Sequence, residues 1–199
     1  MSKNPLIISF YTDDWIYPEH AKNLINNCEN LGYEHFISHR HSTKNYLKNT
    51  AIKPFFIKEC LLRFRRPLIW IDVDAIILKE FSLNVSKFTD IGACKYTNSN
   101  LNRDWAVAFL YLNYTSNTLD FITRWCEYST RGSDEYAFDL AWKSSKGNVA
   151  FETLPEQYHF VKWKVNMEIP NDTIICHQLS QFEDKLKRKH NGQVKDYED

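Results

Sequence analysis

The sequence offers no apolar run near the roughly 18 residues needed to cross a bilayer, no CxxC pair and no excess of charge of either sign. Lysine plus arginine and aspartate plus glutamate number 25 each, so the chain as a whole lacks the basic footprint of a dedicated nucleic-acid binder. Its five cysteines (Cys28, Cys60, Cys94, Cys126, Cys176) are odd in number and far apart. They read as small buried apolar side chains in a reduced compartment, not as a disulfide framework or a zinc site. The stretch Pro5 to Tyr11 is too short for a signal-peptide core and runs directly into Asp13 and Asp14. The expectation is a soluble, cytoplasmic protein without a transmembrane segment. Also missing are internal repeats, low-complexity tracts and Gly/Pro/Ser-rich linkers, so nothing splits the 199 residues. That length suits one domain with a real core.

What is present is an alternation of short apolar runs and amphipathic segments. Leu6 to Thr12 reads as a buried first strand. A helix opening at Pro18 follows, with Ala21, Leu24, Ile25, Cys28 and Leu31 on one face and Gly32 to end it. Tyr33 to His39 reads as a second strand, completing a strand–helix–strand unit of a parallel sheet. A helix over Pro54 to Phe64 leads into a third strand, "PLIWI", which ends on Asp72. Asp90 to Tyr96 and Trp105 to Asn113 are strand-like, Ser116 to Tyr128 is a capped helix, another helix starts near Ser133 or Asp134, and Thr173 to His177 is a late strand. The implied fold class is α/β: a mixed, mostly parallel sheet flanked by helices. Residues 1–184 form the compact domain and 185–199 a charged tail. That tail reads as solvated, or as a basic lip for an acceptor at Lys185, Lys187, Arg188 and Lys189.

The stretch "RRPLIWIDVDAIIL" raises a physical question. Two carboxylates one residue apart, set between apolar runs, raise each other's proton affinity unless something compensates, and a cation is the obvious candidate. A D-x-D pattern alone carries little information, but ligands of open α/β sheets collect at the carboxyl ends of strands, where Asp72 sits. There the pair can offer hard oxygen ligands to Mg²⁺ or Mn²⁺ bridging a diphosphate. His177 also closes an apolar strand, and two aspartates with one imidazole make a mixed O/N set that favours Mn²⁺. The remaining histidines (His20, His35, His39, His41, His159, His190) show no HxxxH spacing and read as surface or packing residues.

An apolar strand, then Asp72–Val73–Asp74, then more apolar residues resembles the metal motif of nucleotide-sugar glycosyltransferases of the GT-A fold. The likeness is to the glycogenin and bacterial galactosyltransferase type. It implies a Rossmann-like GT-A domain and a sugar moved from a nucleotide-diphosphate donor, UDP-linked by default, with Mn²⁺ or Mg²⁺ as cofactor. The acceptor is left open among a glycan, a lipid-linked saccharide, a protein and a modified nucleobase, and the oligomeric state is left open too. By the same resemblance Tyr11 and Thr12 hold the nucleoside, Lys53 assists at the phosphates, and Asp72, Val73 and Asp74 bind donor and metal. His177 completes the metal set, and Asp134 or Glu135, in "GSDEYAFDLAW", engages the sugar or acts as base on the acceptor. Trp105, Trp142 and Trp163 lie in segments near the site, where one could stack on a sugar or base. The chain departs from the pattern with Glu135 where glutamine is common, and with Ala106 or Ala108 where a Ser-Gly or Asn-Gly pair often passes the donor sugar.

Two other readings compete. "DVDAI" resembles the aspartyl nucleophile motif of haloacid-dehalogenase-type phosphatases. That family carries the motif on its first strand with a later paired-acid segment, whereas here it follows two strands and no later Asp-Asp pair exists. The altered Asp134–Glu135 pair and missing glycine also suit a non-catalytic nucleotide- or carbohydrate-binding module on a GT-A fold.

Overall fold

The computed structural model describes residues 5–14, 16–96, 104–162 and 167–177. Trp163 and the tail 185–199 lie outside them. Strand β1 (Leu6–Thr12) pairs in parallel with β2 (His35–Arg40) on one side and with β3 (Leu68–Ile71) on the other. Helix α1 (Tyr17–Asn30) connects β1 to β2; the short α2 (Tyr46–Thr50) and then α3 (Lys53–Phe64) connect β2 to β3. Beyond β3 the chain adds the two-residue β4 (Ile76–Ile77), then β5 (Ile91–Lys95) and β6 (Trp105–Leu112). Helices α4 (Ser116–Tyr128) and α5 (Asp134–Ser145) precede β7 (Phe151–Leu154), a 3-10 turn at Glu156–Tyr158, β8 (Phe160–Val161) and β9 (Ile175–His177). The main sheet runs β2-β1-β3-β6-β5-β7, with β6 alone antiparallel to its neighbours; β4-β9-β8 form a small second sheet. The expected mixed, mostly parallel sheet with flanking helices is the architecture found.

Strand alternation sorts side chains onto two faces. Leu6, Ile8, Leu68 and Trp70 face one core, closed by α3 (Phe56, Ile57, Leu61), α4 (Phe121, Trp125) and α5 (Phe138). Ile7, Ile69 and Ile71 face the other, closed by α1 (Leu24, Cys28) and the small sheet (Ile77, Ile175). β6 is buried along its whole length, which is why "WAVAFLYL" shows no polar alternation. The parity of β6 changes midway: Trp105 and Val107 share a face with Leu110 and Leu112. The cause is a register shift against β5, where Ala93 pairs with Leu110 but Cys94 pairs with Ala106. Such bulges re-aim backbone groups and recur beside active sites.

Local chemistry sets most boundaries. α1 ends as a Schellman motif: Gly32 takes φ +69°, its N–H donates to Glu29 O (3.1 Å), and Tyr33 N–H donates to Cys28 O (2.8 Å). Tyr33 is thereby spent on the helix end, its hydroxyl donating to Phe81 O (2.8 Å), and β2 begins at His35, two residues later than its apolar pattern predicts. The sequence reading passed over α2, β4, β7 and β8, which are too short to carry a period. No helix among the described residues is long and apolar enough to cross a membrane. Leu110 is fully buried in the central strand, so Leu110→Ala should cost about 2–5 kcal/mol of unfolding free energy; a urea titration showing almost no loss would contradict this packing.

Candidate functional site

β3 stops at Ile71, and the next four residues form a tight turn. Asp72 N–H donates to Ala108 O of β6 (2.9 Å), and Ala75 N–H returns to Asp72 O (3.0 Å). Val73 and Ala75 point inward and are buried, whereas Asp72 and Asp74 stay half-exposed. This alternation accounts for the D-V-D pattern: the acids share the open side of a turn whose apolar residues anchor it.

The cation expected beside these acids is supplied first by the chain itself. Lys53, in the first turn of α3, is only 4% exposed. Its Nζ lies 2.9 Å from Asp72 Oδ1 and 2.5 Å from Asp134 Oδ2, and donates to Val107 O at 3.4 Å. Three acceptors thus surround one ammonium, which also stands 5.3 Å from the Trp70 ring centroid. The Trp70 indole N–H donates to the same Asp72 oxygen at 2.7 Å. Burial pulls the Lys53 proton affinity down, but the Asp134 and Asp72 carboxylates outweigh it and raise the pKa above the ordinary lysine value. The ammonium therefore stays charged. Asp134 arrives by its own local logic. Ser133 caps α5, its hydroxyl accepting from Tyr136 N–H (3.3 Å), and an acid in the first turn suits the helix dipole. The Trp125 indole donates to Asp134 O (3.0 Å), fixing that end of α5 against α4. The β6 bulge supplies the rest, since the carbonyls of Val107 and Ala108 accept from Lys53 and Asp72. Ala108, in the region marked as a departure from the glycosyltransferase pattern, sits in this bulge, and Ala106, paired with Cys94, borders it.

His177, at the end of β9, is fully buried. Its Nε2 faces Tyr158 O at 2.9 Å, so that nitrogen carries the proton and Nδ1 keeps its lone pair. Nδ1 has no hydrogen-bond partner among the described residues. Burial lowers the imidazole pKa to about 4, the Tyr158 carbonyl opposing and the Lys53 charge assisting. The His159 ring lies 5.2 Å away and is lowered to about 3, chiefly by burial and then by His177. Ile76 pairs with Cys176, which sets position 177 level with Ala75, next to Asp74. The last strand therefore finishes beside the D-V-D turn. Even so, Asp72, Asp74 and His177 are not already gathered as ligands. Among the described residues, one set of three His, Cys, Asp or Glu side chains has ligand atoms all within 4.8 Å of one another, and it is Asp13, His39 and His41.

Tyr11 and Thr12 end β1 at the same edge of the sheet as Asp72, because β1 and β3 run parallel. Thr12 is buried, and the Tyr11 ring packs 5.4 Å from His39. Glu135 is half-buried beside Asp134. Trp105 and Trp142 pack on each other (5.7 Å) and on Phe151 (4.4 Å each), in the core. A cleft of about 350 Å³ opens beside His159, lined among others by Lys95, Tyr96, Glu156, Phe160 and Asp172. Sequence reasoning did not single out Trp70, and it read His159 as a surface or packing residue. Trp70 lies two residues before Asp72 and could have been found from strand periodicity. His159 carried no signal, for its neighbour His177 is 18 positions away.

Lys53→Met leaves the buried Asp134 carboxylate and the half-exposed Asp72 without their cation and should lower unfolding free energy by roughly 3 kcal/mol; Lys53→Met/Asp134→Asn should recover part of that in urea denaturation. A histidine kept neutral by burial disfavours the folded state at low pH, because the unfolded chain takes up the proton first. The His177 contribution is complete above about pH 6.5 and drains away toward pH 4. In chelator-containing buffer, His177→Asn should therefore flatten the stability profile across that window, by up to about 3 kcal/mol in total slope.

No protein-family model matches the chain, and neither does any curated protein. Among solved structures, a glycosyltransferase involved in the glycosylation of the major capsid of PBCV-1 superposes with a TM-score of 0.69 at 9% sequence identity, covering 96% of this chain and 100% of that one. At that identity the likeness is one of fold: this chain folds as that glycosyltransferase does.

Proposed function

We propose that the protein is a metal-dependent glycosyltransferase that moves a sugar from a nucleotide-diphosphate donor, UDP-linked by default, to an acceptor. The observation that carries the reading is the convergence of Asp72, Asp134 and the buried Lys53 ammonium at the carboxyl edge of the parallel strands, on a fold shared with a glycosyltransferase. In open α/β sheets this edge is where ligands collect.

Asp72, Asp74 and His177 would hold Mn²⁺ or Mg²⁺. The donor set fits such an ion in kind: two carboxylates half open to solvent, and a buried neutral imidazole whose Nδ1 lone pair is unspent because the Tyr158 carbonyl fixes the other nitrogen as donor. When bound, the ion supplies charge neutralisation to the departing diphosphate. The other roles fall to the chain. Tyr11 and Thr12 position the nucleoside at the end of β1. Lys53 holds Asp72 and Asp134 in place and brings a fixed positive charge to the phosphate side. Asp134, or Glu135 next to it, engages the sugar or takes the proton of the acceptor hydroxyl. The cleft beside His159 would receive the acceptor, its Tyr96 and Phe160 rings and Glu156 and Asp172 carboxylates being suited to a polyhydroxylated ligand.

A thermal-shift panel of nucleotide-sugars, each with and without manganese, tests this. One nucleotide-sugar should raise Tm only in the presence of metal, by the ligand linkage that gives about 2.7 kcal/mol at 100-fold Kd. Asp74→Ala should erase that shift while leaving the unliganded Tm nearly unchanged, since Asp74 is half-exposed. Donor affinity that survives Asp74→Ala rejects the metal site. Turnover of a generic aryl phosphate without nucleotide-sugar hydrolysis rejects the transferase, and donor binding without any hydrolysis or transfer points to a binding module.

A further inference from the structure

A second cluster of ligating side chains lies away from the D-V-D turn, where β1 and β2 end side by side. His39, in β2, and His41, just past it, are two positions apart, so the strand's alternation sends both to one side. Their rings stand 5.1 Å apart, nearly perpendicular at 83°. Asp13 follows β1. Its Oδ1 accepts the Ser42 backbone N–H (2.9 Å), which leaves Oδ2 facing His41 Nδ1 at 3.8 Å. One ligand atom from each of the three residues lies within 4.8 Å of the other two. A tetrahedral ion with bonds of about 2.0–2.2 Å holds its ligands roughly 3.3–3.6 Å apart, so modest side-chain rotation closes the set.

The surroundings hold these groups in place. Asp14, next in sequence, accepts from Lys44 Nζ (2.7 Å) and Asn49 Nδ2 (3.3 Å) and also takes the Ser42 hydroxyl, tying the segment after β2 to the end of β1. The nearby Lys44 ammonium is thus engaged by Asp14, and the Tyr11 ring packs against His39. All three cluster residues are exposed, so water can complete the coordination.

We propose that Asp13, His39 and His41 form a solvent-open binding site for a borderline divalent transition ion, zinc above all, at the same carboxyl edge of the sheet but distinct from the D-V-D turn. Two imidazoles and one carboxylate are the ligands such ions prefer, whereas Mg²⁺ and Ca²⁺ take oxygen sets. The ion would bridge the ends of β1 and β2 and brace the loop after β2. The inference does not depend on the transferase reading.

The test is calorimetric titration of the full chain, stripped with chelator, with ZnCl₂ and in parallel with MgCl₂. Co²⁺ absorption reports the ligand field. Zinc should bind where magnesium does not, and His41→Asn and His39→Asn should each weaken it by at least the roughly 10-fold that losing even an outer-shell partner costs. The His41 side chain is 92% exposed, so its substitution leaves the core intact. Because the Asp72, Asp74 and His177 set would also take zinc, the titrations are run in the Asp74→Asn background, where zinc should still bind and each histidine substitution should still weaken it. In that background, zinc binding that is absent, that survives both histidine variants, or that magnesium matches, overturns the proposal. Manganese-dependent donor binding, measured on His41→Asn, reports on the transferase reading separately.

Discussion

One buried ammonium organises the middle of this molecule. Lys53 brings a full positive charge to a place where only 4% of the residue is exposed, which is tolerable because the carboxylates of Asp72 and Asp134 and the carbonyl of Val107 surround it. Lys53 and those partners belong to four different pieces of chain: the start of α3, the turn after β3, the bulge of β6 and the start of α5. Net stability from a buried pair is small, but losing one member is costly, so the arrangement acts as a constraint on geometry more than as a source of stability. It requires α3 and α5 to present their N-termini to the same point at the sheet edge.

That requirement explains features that look unrelated. A lysine in the first turn of a helix is opposed by the helix dipole, and an aspartate there is favoured; here the aspartate of α5 compensates the lysine of α3. The β6 bulge turns two carbonyls toward this point, one to Lys53 and one to the Asp72 amide. The Trp70 indole, one strand step before Asp72, both binds the acid and covers the ammonium. On the other side of the turn, burial keeps His177 neutral and a single backbone carbonyl orients its ring. A fixed positive charge, half-exposed acids and an unprotonated imidazole nitrogen therefore meet at one end of the parallel strands.

Much of the architecture was legible wherever burial is one-dimensional. β1, β3 and β6 are apolar because both faces of the sheet are covered, and α1, α4 and α5 carry their caps and stripes in sequence. β4, β8 and α2 were not legible: two to five residues hold no period, and what stabilises them comes from distant partners such as Cys176 for Ile76. Trp105 and Trp142, read as candidates for stacking on ligand, spend their faces on Phe151. His39 and His41, read as surface or packing residues, are brought to Asp13 by the pairing of β1 with β2.

The linear chain by itself determined that two acids would stand at the mouth of an apolar strand, that Asp134 would open a helix, and that a parallel α/β sheet would carry both, because hydrophobic period and capping preference are local. Which cation meets those acids was decided only in three dimensions. Lys53 and Asp134 are 81 positions apart, and nothing short of the packed helices brings ammonium and carboxylate to 2.5 Å. The same holds for the imidazole of His177, whose protonation state depends on a carbonyl and a burial that exist only once the last strand has docked.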